Sequence, residues 1–255
     1  MSVVESWPAD AALYQPHETH QSLLYEYADC LAVRAFLKMC KLSFKLESRS
    51  NAEFISPSNK VPFIKAGEMV VAELEPIVDF VHKKGTSLTE GFDDAELAEM
   101  TAYMAIVRRI LNNSEIYICW THEPTLREVT KPRYGSVYPW PLSSLLPWLK
   151  QREMTRHLKT MGFLGKTKNQ ILEEMNDCCK ALSTKLGQSV YFFGDSPTEL
   201  DALVFGHLYT ILTTELPDID LASIVKRYSN LVEFCQRIER TYFMDRLGSA
   251  RKSKR

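Results

Sequence analysis

The sequence predicts an α+β protein in two parts: a small mixed unit over residues 1–85 and an all-helical unit over 93–243. Three observations carry this. The first 85 residues alternate short strand-like and helix-like segments. Beyond Asp93 every periodic segment repeats at the spacing of a helix. Between them, "GTSLTEGFDD" brings Gly85, Gly91 and an acidic run together, as a connector would.

In the first unit "AALYQ", around Leu13 and Tyr14, is a short strand. "DCLAVRAFLKMCKL" places Leu31, Arg34/Ala35 and Lys38/Met39 at helical steps, with Asp29 expected as the N-cap. "LSFKLESR" alternates Phe44 and Leu46 with polar neighbours, the mark of a half-buried strand. "VPFIKAG" and "EMVVAEL" make a hairpin turning at Ala66-Gly67, and "PIVDFVHKKG" is a helix with Pro76 expected at its first position and Gly85 as its stop. The order β-α-β, then β-β-α, resembles the thioredoxin-like unit. In that unit a proline opening the third strand, here Pro62 after Val61, is expected to be cis.

In the second unit Leu97, Met100, Met104, Val107 and Leu111 recur at steps of three and four, with Asp93 and Asp94 where the helix dipole favours negative charge. "KPRYGSVYPWPLSSLLPWLKQ" is expected to interrupt the helices, since it holds Pro132, Pro139, Pro141 and Pro147, and its aromatic residues make it a packed connection. Helical patterns resume in "REMTRHLKTMGFL" and "NQILEEMNDCCKALSTKLG", the latter stopping at Gly187. In "DSPTELDALVFGHLYTIL", Thr198 and Asp201 form an acidic capping box that opens a helix apolar nearly all round, one suited to the middle of a bundle. "YSNLVEFCQRIERTYF" closes the unit with Leu231, Phe234/Cys235 and Ile238 on one face.

Composition limits function. Hydrophobic residues at 45% and charged residues at 25% allow a proper core, and the net charge of −1 offers no global field for nucleic acid. The six cysteines include no C-x-x-C pair and read as free thiols of a reducing compartment. The N-terminus has no basic, apolar leader pattern, and apolar runs such as "YMAIV" stop at five residues, far below the roughly 20 that span a bilayer. No P-loop, G-x-S-x-G or G-x-G-x-x-G occurs, and "HETH" (His17, His20) lacks a third ligand at metal spacing. No metal and no cofactor is expected.

The whole pattern resembles the glutathione-transferase fold. More narrowly, "VPFI", "RYGSVYPWPL", "YFFGDSPTELDALVFGHLYTIL" and "YSNLVEFCQRIE" are similar to the metaxin family, in its metaxin 2 branch. That resemblance implies a non-enzymatic protein on the cytosolic face of the mitochondrial outer membrane, peripheral and held there through its partner. It implies a second metaxin-like subunit of metaxin 1 type as partner, work with the sorting and assembly machinery for β-barrel proteins, and a link to mitochondrial transport adaptors.

Glutathione enzymes of this fold hold the ligand's γ-glutamyl carboxylate with a hydroxyl and with N–H groups at the start of the third helix. Where their pattern has Glu-Ser, this chain has Glu73-Leu74, and Glu75 follows as a competing carboxylate. Like charges about 4 Å apart cost roughly 1–4 kcal/mol, and a lost hydrogen bond to a charge roughly 1.5–3 more. The ligand site at Leu74 and Glu75 therefore reads as degenerate. The residual thiol is Cys30, expected at a helix N-terminus where the dipole would activate it, which leaves a cysteine-type, glutathione-dependent thiol transferase as the alternative. Tyr14, in the first strand, is expected later in register or pointing into the core.

Two surfaces are candidates for contact. The aromatic residues Tyr134, Tyr138, Trp140 and Trp148 of the connector are candidates for partner binding. The basic tail 244–255, expected to be disordered, offers Arg251, Lys252, Lys254 and Arg255 to an anionic membrane surface, each contributing about 1 kcal/mol when close.

Overall fold

The computed structural model describes residues 6–244. Candidates Arg251, Lys252, Lys254 and Arg255 lie outside them. Strand β1 (Ala12–Gln15) leads into α1 (Leu24–Met39), β2 (Lys45–Ser48), the single turn α2 (Ala52–Ile55), the hairpin β3 (Phe63–Ala66) and β4 (Met69–Ala72), and α3 (Leu74–Lys83). The sheet order is β2-β1-β3-β4, with β1 parallel to β2 and antiparallel to β3. Alternation along the strands sorts two faces. Leu13 and Ile64 enter the main core with α1 and α3, while Tyr14 and its register partner Phe63 stack at 4.8 Å on the other face, beside Cys30, Ala52, Val61 and Ala72. The hairpin turns at Gly67-Glu68, one residue later than expected, because the left-handed φ of +62° falls on the glycine at the turn's first position. The Val61-Pro62 bond is cis, and so is Trp140-Pro141.

Two helix starts differ from the reading of the sequence. Helix α1 begins at Leu24, so Asp29 lies inside it and Cys30 is its seventh residue. The capping acid is Glu26, whose Oε2 accepts from the Leu23 N–H at 3.2 Å. The apolar run "SLLYEYA" ahead of Asp29 concealed this, since a buried helix shows no polar phase to mark its entrance. Helix α3 begins at Leu74, which places Pro76 third in the helix, where its missing N–H still costs no intrahelical bond.

The helical part opens with α4 (Asp94–Val107), capped by Asp93, whose side chain accepts from the Glu96 N–H at 2.8 Å. Its path runs without a break through a π turn (Arg108–Asn112) into α5 (Asn113–Trp120). Met100, Val107 and Leu111 are buried, but Leu97 is exposed: the apolar residues of α4 are spread around the helix and only one side meets the core. The short α6 (Glu123–Thr125), a second π turn (Leu126–Thr130) and α7 (Lys131–Gly135) follow.

The proline-rich stretch is largely helical, against expectation. Helix α8 (Leu142–Thr160) contains Pro147 in its interior. A proline there leaves the carbonyl four residues back without its donor. That carbonyl, of Ser143, faces Gly135, where an added Cβ would lie 2.5 Å from its oxygen. Gly135 thus lets α7 approach the opened turn of α8.

Helix α9 (Lys168–Leu186) stops at Gly187, with φ +53°. Helix α10 (Glu199–Thr213) runs through the centre, buried on nearly every side, and α11 (Asp220–Val225) and α12 (Ser229–Tyr242) pack around it. At its N-terminus Asp201 Oδ2 accepts from Thr198 N–H at 2.8 Å and from Thr198 Oγ1 at 2.7 Å, and its other oxygen accepts from Phe192 N–H at 3.0 Å. Burial still pushes the Asp201 carboxyl up to about 6. Helix α10 crosses α1 at close range, since a Cβ on Gly206 would meet the Ala28 carbonyl at 2.4 Å and the Ala32 Cβ at 2.8 Å. His207, next along α10, holds both oxygens of the fully buried Glu115 with Nδ1 at 2.9 and 3.0 Å.

Candidate functional site

A cavity of about 310 Å³ lies between the sheet unit and the helical part. Helix periodicity builds its walls. Tyr25, Glu26 and Asp29 share one face of α1, and Lys150, Glu153, Met154 and His157 follow at steps of three and four along α8. Glu53 comes from α2, Asn59, Lys60 and Val61 precede the cis proline, and Glu73 and Glu75 flank the start of α3. The π turn contributes Arg108, and its extra residue lets Val107 and Leu111 stay in the core while Arg108 faces Asp29 and Glu75.

The charges of the wall answer one another. Six carboxylates (Glu26, Asp29, Glu53, Glu73, Glu75, Glu153) face three permanent cations (Lys60, Arg108, Lys150). Lys60 pairs with Glu73 at 2.6 Å, and Arg108 bridges Asp29 and Glu75, the latter at 2.9 Å. Lys150 pairs with Glu53 at 2.5 Å and with Glu153 at 3.1 Å. Burial works against the charges of Arg108 and Lys150, but their carboxylate partners outweigh it and leave both raised. Glu26 is the acid without a cation of its own. Burial, then the Glu53 carboxylate, push it up to about 7, against Lys150 and its bonds from Leu23 and Tyr25. Burial, followed by Lys60, lowers His157, whose Nε2 lies 2.8 Å from Asn113 Oδ1.

Each residue predicted for the ligand site has a definite place. Leu74 is 1% exposed in the core and does not line the cavity. Glu75 lines it, but is bound to Arg108 instead of standing as a free competing charge. That corrects the expectation. The obstacle to an anion is that Arg108 is already shared by two carboxylates. The entrance of α3 lacks one donor as well, since Pro76 has no N–H, which leaves the Leu74 and Glu75 N–H groups as the helix start's outward donors. Glu73, which caps this entrance, has a left-handed φ of +71°, a conformation costing roughly 1–3 kcal/mol in a residue with a Cβ.

Neither Cys30 nor Tyr14 is among the residues that line the cavity. Cys30 is 1% exposed and packs with Phe63 and Ala72, and burial, then Asp29 and Glu26, push its thiol well up. At the seventh position of α1, Cys30 also lies beyond the helix N-terminus expected from the sequence. Tyr14 is stacked on Phe63. The tyrosine that does line the cavity is Tyr25, whose hydroxyl is raised by burial and then by Glu26 and accepts from Trp120 Nε1 at 3.3 Å.

Of the aromatic candidates, Tyr134 is buried and is corrected to a core residue: it packs on Trp120 and donates to Glu53 Oε2 at 2.9 Å. Tyr138 is half-buried against Phe54. Trp140 and Trp148 are exposed. The reading from sequence missed Arg108, Lys150, Glu53 and Glu26. Two of these left a signal: Arg108 and Lys150 fall in phase with apolar neighbours, Met104 and Leu111 for one, Pro147 and Met154 for the other. A cation on an apolar face announces a buried carboxylate.

Comparison with known proteins places this geometry in context. Residues 30–151 match a family model described as outer mitochondrial membrane transport complex protein, and residues 175–238 match the glutathione S-transferase C-terminal domain. Metaxin-2 of Homo sapiens is 52% identical over 96% of this chain and 94% of its own length. Metaxin-1 of Mus musculus is 28% identical over 84% of this chain and 70% of its own length. Among solved structures, glutathione transferase F2 from Populus trichocarpa superposes with a TM-score of 0.56 at 13% identity, covering 95% of this chain and 99% of that one. At that identity the likeness shows the fold, a glutathione-transferase-like one.

Proposed function

Because this chain belongs to the metaxin family, in its metaxin 2 branch, we propose that it is a non-enzymatic subunit of a metaxin complex at the mitochondrial outer membrane. In this reading it pairs with a metaxin 1-type chain on the cytosolic face, is peripheral there, and serves the sorting and assembly of β-barrel proteins. An adaptor role in mitochondrial transport belongs to the same reading. Among the described residues no helix is long and apolar enough to cross a membrane.

One observation carries the loss of catalysis: every cation of the inter-unit cavity is bound to a carboxylate of the same wall, and neither Cys30 nor Tyr14 reaches that wall. A tripeptide carrying two carboxylates would compete with these pairs: breaking the buried Lys150–Glu53 pair costs roughly 3–5 kcal/mol, whereas the exposed Lys60–Glu73 pair gives way for about 1 kcal/mol or less. The purified protein is expected not to turn over 1-chloro-2,4-dinitrobenzene with glutathione, and to co-purify with a second metaxin from carbonate-treated mitochondria. Retention on immobilised glutathione with activity in the eluate refutes the non-enzymatic reading.

A further inference from the structure

Helix α8 carries a surface that the cavity does not use. Its buried side consists of Pro147, Lys150, Met154 and Leu158. At 100° per residue, Leu142, Leu145, Trp148 and Leu149 fall on the opposite side within one stripe, and so do Arg152, Arg156 and Lys159 further along. All seven are exposed. Trp140, just before the helix, is 84% exposed. The stripe is therefore apolar over its first two turns and basic over its last two. Glu153, at the edge of the stripe, is held by Lys150.

The basic half forms a shallow cleft lined by Trp148, Gln151, Arg152, Thr155, Arg156 and Lys159. Three cations and no carboxylate line it. Arg152 lies over the Trp148 ring at 4.1 Å, and among the described residues no acid pairs with Arg152, Arg156 or Lys159. The cations of the cavity, by contrast, are all bound to acids.

We propose that this face of α8 docks directly on an anionic lipid bilayer. Trp140, Leu142, Leu145, Trp148 and Leu149 enter the interfacial layer, and Arg152, Arg156 and Lys159 meet lipid phosphates. Exposed tryptophan and leucine beside arginine and lysine without an acidic partner is the chemistry of an interfacial helix, since the indole is apolar in body and polar at one edge and the cations need anions that the described residues do not supply. Charge complementarity selects the bilayer over a protein surface. A protein partner would have to bring a cluster of acids to the cleft, whereas an anionic leaflet presents phosphates wherever the helix lands. With a net charge of −1 the protein as a whole is not drawn to such a leaflet, so attraction has to come from a local patch of this kind.

The proposal rests on the outer-membrane reading for its setting, and its test separates the two. The purified full chain is floated with phosphatidylcholine vesicles with and without phosphatidylserine. Two surface variants accompany it, Trp140→Ser/Trp148→Ser and Arg152→Glu/Arg156→Glu/Lys159→Glu. The wild-type protein is expected to float with the anionic vesicles only. The charge-reversed variant is expected to lose about a hundredfold in vesicle affinity, from roughly fivefold per cation removed, and the tryptophan variant about tenfold or more. Failure of the wild type to float, or equal flotation of wild type and both variants, overturns the proposal, the latter by assigning lipid contact to another surface such as the basic tail. Co-purification of the second metaxin is read on the same variants. Its loss with vesicle binding unchanged overturns the proposal in favour of a protein interface, and its retention with vesicle binding absent removes lipid docking alone, leaving the metaxin complex untouched.

Discussion

Replacing Glu26 by glutamine tests the electrostatics of the cavity. Glu26 is 7% exposed, caps α1 through the Leu23 N–H, and has its carboxyl pushed from 4.5 up to about 7 by burial and by Glu53. A folded-state value above the unfolded one means that the native protein favours the protonated acid. The associated stability is fully present below about pH 4.5 and is lost as pH rises to about 7. The displacement corresponds to about 3 kcal/mol, at 1.36 kcal/mol per unit of pKa. Glutamine is neutral throughout and keeps a carbonyl oxygen for the Leu23 N–H, so any change in the cap adds a constant offset and leaves the pH dependence intact. Urea unfolding of wild type and Glu26→Gln should therefore show the variant gaining on the wild type between about pH 4.5 and 7, by up to about 3 kcal/mol, with a plateau above. Parallel stability profiles over that range would mean that Glu26 ionises without penalty, and that the wall has no surplus of negative charge.

Two further predictions concern packing and thiol chemistry. Gly206→Ala is expected to cost about 2–3 kcal/mol, because the backbone carbonyl of Ala28 cannot yield to the new methyl and the clash outweighs the helix preference of alanine, worth about 1 kcal/mol; thermal or chemical unfolding measures it, and an unchanged midpoint would place α1 and α10 further apart than the structure does. Cys30 is expected to resist iodoacetamide at neutral pH until the protein unfolds, since its thiol is both buried and raised, and mass spectrometry after timed alkylation would show rapid native labelling if the reading were wrong.

What the sequence made legible was whatever repeats locally. The four strands, the Thr198–Asp201 box and the buried phase of α12 depend on contacts within a few residues or on an unbroken apolar period, and both are written in the chain. The misread segments share a different cause. Pro147 announces a break, yet α8 runs through it, because the Ser143 carbonyl it exposes finds room against Gly135, a residue of another helix. Asp29 is a good cap by composition, but the apolar residues ahead of it belong to a helix already buried on that side, so the entrance lies at Leu23. In each case a tertiary contact overrode a local preference of about 1–3 kcal/mol.

The same distinction governs the cavity. A reading along the chain weighs one acid, Glu75, against one incoming carboxylate, because these two meet through adjacent positions. The residues that decide the matter come from α1, α2, the π turn after α4 and α8, with sequence separations of 33 between Glu75 and Arg108 and 97 between Glu53 and Lys150. No local pattern joins them. Their net effect is nonetheless of one sign, since each cation admitted to the wall comes with a carboxylate, and Glu26 adds an acid with no cation of its own. An anion entering this space competes with partners already in contact. Restoring a hydroxyl at Leu74 alone would therefore not restore an anion site: the side chain there is in the core, and Arg108 would still be shared between Asp29 and Glu75.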